Sequence, residues 1–175
     1  RRTPVGSFQG QLSSLAAPEL GAIAIKSAIA SSKINPSHVD ECIMGQVLTA
    51  GAGQAPARQA ALKAGLPNTV HCMTINKVCG SGLKAVMLAA DSIQLGHSNV
   101  VVAGGQENMT LAPHLLKNSR SGYRMGHIAA QDSMLTDGLW DPYNNFHMGN
   151  AAEICVKEYK FTREQQDDFA KQSYE

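Results

Sequence analysis

The sequence predicts an α/β fold in which a mixed, mostly parallel sheet lies between helices. Three observations carry that expectation. Helical and strand periods alternate from Pro18 to Ala103. The run Val100-Val101-Val102 is continuously β-branched, as in strands buried on both faces. And 175 residues are enough for one domain with a real core.

The elements follow in order. Pro18 suits a first helical position and Glu19 suits the positive end of the helix dipole. Ala22, Ile25 and Ile29 then recur at helical spacing. Asn35-Pro36-Ser37 breaks that pattern, and Glu41 to Leu48 reads as a short strand. Pro56 and Gly65 bracket a second helix, with Pro67 beyond it as a stop. Val70 to Ile75 is a second strand of mixed pattern. A third helix runs from Gly80 to Leu95, with Leu83, Val86, Met87 and Ala90 on one apolar face and Gly96 as its cap. Asn99 to Ala103 is the third strand. From Gly104 to Asn145 the apolar residues scatter among Gly, Ser, Asn, Asp and Pro, which marks a functional connection or an inserted subdomain. Two helices close the chain: one over His147 to Tyr159, the other opened by a capping box of Thr162 and Gln165.

Bulk properties exclude several classes of function. The formal charge is +1 and no basic run or aromatic-basic stripe points to nucleic acid. No apolar stretch approaches the roughly 18 residues needed to cross a bilayer, so no membrane span is expected. Four scattered cysteines do not make a disulfide scaffold, so reduced thiols in a cytosol-like compartment are the default. The chain opens with Arg1-Arg2-Thr3-Pro4 and closes at Glu175 inside a helical pattern. The expectation is a segment cut at both ends, for which a missing targeting signal means little.

The chemistry centres on Cys79, in INKVCGSGLKA at 75–85. The pattern places it where a strand hands over to a helix. Two helix-start amides and the dipole would then face its sulfur and favour a thiolate. Gly80 and Gly82 leave room for close approach to the backbone, Ser81 adds little bulk, and Lys77 and Lys84 add positive charge. On spacing alone a small core cysteine stands beside the nucleophile as an alternative. Cys42, mid-strand, and Cys155, on an amphipathic helix, read as core. His71-Cys72 with Cys79 lacks the ligand spacing of a zinc site. Gly80-Ser81-Gly82 lacks the third glycine and later acid of a dinucleotide loop.

The stretch at 75–85 closely resembles the nucleophile motif of the thiolases, N-x-x-C-[AG]-S-G-[LM]-K-A. Other segments agree in order: RTPVGSF at 2–8, GQAPARQAALKAGLP at 53–67 and VVAGGQENMT at 101–110. DGLWDPYNNFHMGNAAE at 137–153 is similar to a segment of the short-chain branch, the acetyl-CoA acetyltransferases. Gln106 departs from the pattern where Met is common, which is expected to tune packing. The resemblance implies a thiolase N-terminal half over 1–104, incomplete at its start, and the truncated beginning of an inserted loop domain over 105–175.

It further implies that Cys79 is the acyl-accepting nucleophile, its amide part of an oxyanion hole. Leu139, His147 and Met148 fall where the family binds substrate; without the family they read as core or as a helix cap. The implied reaction condenses two acetyl-CoA to acetoacetyl-CoA, and reverses it, through an acetyl-cysteine. No cofactor or metal is implied, since coenzyme A thioesters are the substrates. Acetyl-CoA and acetoacetyl-CoA are the expected partners, with a homotetramer and no nucleic acid or membrane. The expected compartment is the cytoplasm, with the mitochondrion as the alternative. The family's second cysteine, Gly-His and Asn-Glu-Ala-Phe motifs do not occur in these residues, so the 175-residue chain alone is expected to be inactive. Two other readings stand beside this one: a longer-chain 3-ketoacyl-CoA thiolase, and a non-catalytic assembly module.

Overall fold

The computed structural model describes residues 1–175 and forms two compact units, residues 1–138 and 139–175. In the first, helix α1 (Ala17–Ser32) is followed by strand β1 (Glu41–Gly45), helix α2 (Pro56–Lys63), strand β2 (His71–Ile75), helix α3 (Ser81–Gln94) and strand β3 (Val101–Gly105). The three strands form one parallel sheet of order β2-β1-β3. β1 is central, with Cys42 registered against Cys72 on one side and Val102 on the other.

Side-chain alternation along β1 fixes the layers. Cys42 and Met44 point into a core formed with Ile25 of α1 and Ala57, Ala60 and Ala61 of α2. Gly45, on the opposite face, abuts the start of α3, and Glu41 on that same face accepts a hydrogen bond of 3.2 Å from Ser92 of α3. The sheet therefore lies between α1 and α2 on one side and α3 on the other. Ile43 is 1% exposed; burial of a side chain that size contributes about 1.5–3 kcal/mol. The two crossovers run in opposite directions from their starting strands. With the common right-handed sense, they fall on opposite faces.

Local chemistry sets the helix ends. Pro18 occupies the second position of α1, one later than the sequence suggests, and Glu19 accepts from the Ala16 amide at 2.8 Å. α2 and α3 both end in paired backbone bonds around a left-handed glycine, Gly65 and Gly96. In α3 these run from Gly96 to Ile93 and from His97 to Ser92. β1 stops at Gly45, short of the expected Leu48: the Gln46 amide still bonds the Ile75 carbonyl of β2, but the Val47 and Leu48 amides donate instead to Glu107 in the loop after β3.

Two expectations about burial are corrected. Leu83, Val86 and Met87 of α3 are exposed and Ala90 lies with them, whereas Ser81, Ala85 and Ala89 are buried. The first turn of the helix sits so close to Gly45 of β1 and Gly105 of β3 that only small residues, Ser81 and Gly82, fit there. The Val100–Val102 run is half-buried, and β1 is the strand enclosed on both faces.

Beyond β3 the chain carries a short antiparallel pair, β4 (His114–Leu115) with β5 (Gln131–Asp132), and then a single wide helical turn over Met134–Leu139. The second unit contains the antiparallel pair β6 (Trp140–Asp141) and β7 (Phe146–His147), then α4 (Met148–Tyr159) and α5 (Arg163–Tyr174). Asp141 closes the hairpin by accepting from the Tyr143 amide at 2.8 Å and from Asn144 Nδ2 at 2.7 Å. Those donors hold its carboxyl below the usual carboxylate range, the Asn144 side chain foremost. α5 opens with the expected Thr162–Gln165 box. Cys155 is exposed, not core, because α4 buries no residue. No helix is long and apolar enough to cross a membrane.

Candidate active site

The carboxyl ends of β1 and β2 point to the same edge of the sheet, and their connections leave to opposite faces. Such a switch point opens a crevice where α/β sheets receive ligands. The loop from β2 to α3 lies there, and Cys79 is in it, exposed to solvent.

Three glycines bring α3 onto the strand ends. A side chain at Gly45 would fall 2.6 Å from the Ser81 carbonyl carbon, and Gly105 approaches the Gly82 Cα at 3.4 Å from its own Cβ position. The turn before the helix is tightly bonded. The Gly80 amide donates to the Lys77 carbonyl and the Ser81 amide to the Val78 carbonyl, both at 3.1 Å. These two helix-start amides are therefore committed to the turn itself rather than free to face the sulfur. Gly82 and Leu83 remain as helix-start amides without a carbonyl partner.

Val78 has φ +47°, a left-handed conformation that costs a β-branched residue about 1–3 kcal/mol. The Ser81 hydroxyl accepts from the Lys77 amide at 2.9 Å and donates to the Val78 carbonyl at 2.5 Å. Asn76 Oδ1 accepts from the Val78 amide at 2.8 Å. The sequence assigns Ser81 only small bulk. Its position three residues after Val78, at the first turn of a helix, is the signal that marks a hydroxyl able to bond back to a loop carbonyl.

The loops after β1 and β3 are clasped beside this turn. Glu107 accepts from the Val47 amide at 2.8 Å and the Leu48 amide at 3.3 Å. Burial pushes its carboxyl up, against the pull of those two amides. Gln106 is buried; its Nε2 donates to Gln46 Oε1 at 3.0 Å, and Gln46 Nε2 donates to the Leu48 carbonyl at 2.9 Å. Gln106 Oε1 has no partner and lies against Gly21, 1.9 Å from where a β-carbon there would be. A larger residue than glycine at 21 would require the end of the Gln106 side chain to move.

The other cysteines of this unit differ from Cys79 in access. Cys42 is sealed, and burial pushes its thiol up to about 12. Cys72 is half-buried and also raised by burial, with Arg58 opposing. No three His, Cys, Asp or Glu side chains converge as a metal site.

Leu139, His147 and Met148 belong to the second unit. Leu139 ends the wide turn and is half-buried, and Met148 is exposed. His147 is the N-cap of α4, its Nδ1 accepting from the Gly149 amide at 2.9 Å. A ring nitrogen that accepts carries no proton, so in a neutral ring the proton sits on Nε2.

The fold and this turn define a class: a parallel α/β domain that offers a reachable thiol at the switch point of its sheet. The chain belongs to the thiolase family, since all of residues 1–175 match the thiolase N-terminal domain. It is 62% identical over 169 residues to an acetyl-CoA acetyltransferase of Cupriavidus necator, covering 97% of this chain and 43% of that protein. It is 57% identical over 169 residues to an acetyl-CoA acetyltransferase of Pseudomonas aeruginosa, covering 97% and 43%. Acetyl-CoA acetyltransferase 2 of Arabidopsis thaliana is 56% identical over 174 residues, covering 99% and 43%. The chain thus spans less than half the length of these relatives.

Proposed function

We propose that this chain is the nucleophile-bearing part of an acetyl-CoA acetyltransferase. The observation that carries the proposal is the exposed Cys79 in the turn between β2 and α3, at the carboxyl ends of parallel strands. The names of the relatives support an acetyl-transferring chemistry.

In the proposed reaction the Cys79 thiolate attacks the carbonyl carbon of acetyl-CoA. A sulfur–carbon bond forms, the bond to the coenzyme A sulfur breaks, and the coenzyme A thiolate leaves with a proton from the site. Cysteine suits both halves of this exchange, being a strong nucleophile and a good leaving group. The oxyanion needs fixed donors, for which the Cys79 amide is the proposed source within this chain. A second acetyl-CoA loses an α-proton to a base, and its carbanion attacks the acetyl-cysteine. The products are acetoacetyl-CoA and the free thiol, and the reverse steps cleave acetoacetyl-CoA.

Leu139, His147 and Met148 are proposed to line the acyl and pantetheine end of the pocket. The Gly149 amide donates to His147 Nδ1, which leaves Nε2 as the nitrogen proposed for substrate contact. The base and proton shuttle are proposed to come from the remaining length of the relatives. Residues 1–104 are assigned the role of the family's first half and 105–175 that of the inserted loop domain. This division is by role and is distinct from the two compact units. A homotetramer in the cytoplasm, or alternatively the mitochondrion, completes the proposal.

The test is peptide mass spectrometry after mixing the full-length protein with acetyl-CoA. The acetyl group is expected on Cys79 and is expected to be lost in Cys79→Ala. Acetylation of another residue with Cys79 unmodified would overturn the assignment.

A further inference from the structure

We propose that Ser81 is a positioning residue for Cys79: its hydroxyl clamps the left-handed turn at Val78 that presents the thiol. The inference rests on Cys79 being the nucleophile and extends that reading to the groups that aim it. The residue immediately before Cys79 has φ +47°. Nothing in a valine favours that conformation, so the surroundings must impose it. Ser81 is 5% exposed, and both of its hydrogen-bonding roles are spent on this turn. It accepts from Lys77 on one side of Val78 and donates to the carbonyl of Val78 itself. Asn76 holds the Val78 amide from the other side.

Ser81 is itself anchored. It begins α3, and its backbone lies against Gly45 at the end of the buried central strand. The clamp therefore fixes the Cys79 backbone relative to the rigid sheet. Ser81 touches no substrate in this account and acts only through the turn.

The experiment uses the full-length protein and follows the rate of acetyl-Cys79 formation from acetyl-CoA by rapid quench and peptide mass spectrometry. Ser81→Ala is expected to slow acetylation about 10–100-fold, the size of loss that accompanies a misplaced reacting group. The acetyl-CoA concentration giving half the maximal rate should change little. Glycine adopts positive φ freely, so Val78→Gly in the Ser81→Ala background should restore most of the rate. Asn76→Ala, at an exposed position, should slow acetylation several-fold and leave the melting temperature unchanged. It takes the place of Ser81→Ala if that variant does not fold.

A Ser81→Ala protein that acetylates at the unaltered rate overturns the inference. So does a loss that Val78→Gly leaves intact, since a hydroxyl that merely fills space beside Gly45 would not be rescued there. If Ser81→Ala does not fold, an Asn76→Ala protein that acetylates at the unaltered rate overturns it. If the unaltered protein carries no acetyl on Cys79, the nucleophile reading fails and this inference with it; a labelled parent with an undiminished Ser81→Ala defeats this inference alone.

Discussion

At the scale of single residues, environment separates four chemically identical thiols. Cys79 and Cys155 are exposed, Cys72 is half-buried and Cys42 is enclosed by the α1–α2 core. Alkylation by iodoacetamide needs both access and a thiolate. Peptide mapping over a time course should therefore show Cys79 and Cys155 labelled first and Cys72 more slowly. Cys42, pushed up to about 12 by burial, should label only in denaturant; early labelling there would contradict the packing of β1. Asp40 gives a second residue-scale outcome. Its Oδ2 accepts from the Asn99 amide at 2.7 Å and the Val100 amide at 3.0 Å. These bonds, that from Val100 foremost, hold its carboxyl below the ordinary 3.8. The folded protein then binds this proton less readily than the unfolded chain. Its contribution to stability is present above the ordinary value and is lost as pH falls through the lower folded one. Urea midpoints should fall on acidification in that window, and Asp40→Asn should flatten that part of the curve.

At the scale of elements, the two ends of α3 offer a matched pair of glycine tests. A β-carbon at Gly45 would meet the Ser81 backbone carbon at 2.6 Å and the Gly82 nitrogen at 2.8 Å. Backbone cannot give way as a side-chain tip can, so Gly45→Ala should destabilise by about 1–3 kcal/mol and slow Cys79 acetylation together. Gly96, at the far end with φ +73°, has open space where a β-carbon would go. Gly96→Ala should cost only the left-handed penalty, about 1–2 kcal/mol, and leave acetylation unchanged. Urea midpoints and the acetylation rate, read on both variants, separate the two effects. The same helix shows what the sequence could and could not disclose. Pro56, Gly65, Gly96 and Thr162 announced helix ends because capping is local chemistry. The order of helices and strands, and the place of Cys79 between β2 and α3, were legible for the same reason. The buried side of α3 was not. Periodicity identifies a helix with an apolar stripe, but which stripe meets the sheet depends on how closely the sheet approaches. Here Gly45 and Gly105 lie against the backbone of Ser81 and Gly82, and the helix buries Ser81, Ala85 and Ala89. The Val78 turn was equally hidden, since a valine carries no local signal for positive φ.

At the scale of the whole molecule, the large apolar side chains of α3 pose the remaining question. Leu83 is 69% exposed, Val86 50% and Met87 52%. They follow directly from the turn that bears Cys79, and the chain spans only 43% of the length of its relatives. A contiguous apolar face of this kind promotes association in water. In the isolated 175-residue chain, replacing Leu83 and Met87 by Gln should lower light scattering at a given concentration. The melting temperature should barely move, because neither side chain is packed. The same chain also separates the two halves of the proposed reaction. Forming acetyl-Cys79 is proposed to use the thiol and its turn, which lie within these residues, and to be assisted by the proton shuttle proposed to lie beyond them. Condensation needs in addition a base for the α-proton of a second acetyl-CoA, proposed to lie beyond them. The isolated chain should therefore give no measurable acetoacetyl-CoA and at most one acetyl group per molecule, on Cys79. Sustained production of acetoacetyl-CoA by these residues alone, followed by its absorbance as the magnesium enolate, would place the base inside the chain and overturn that division of labour.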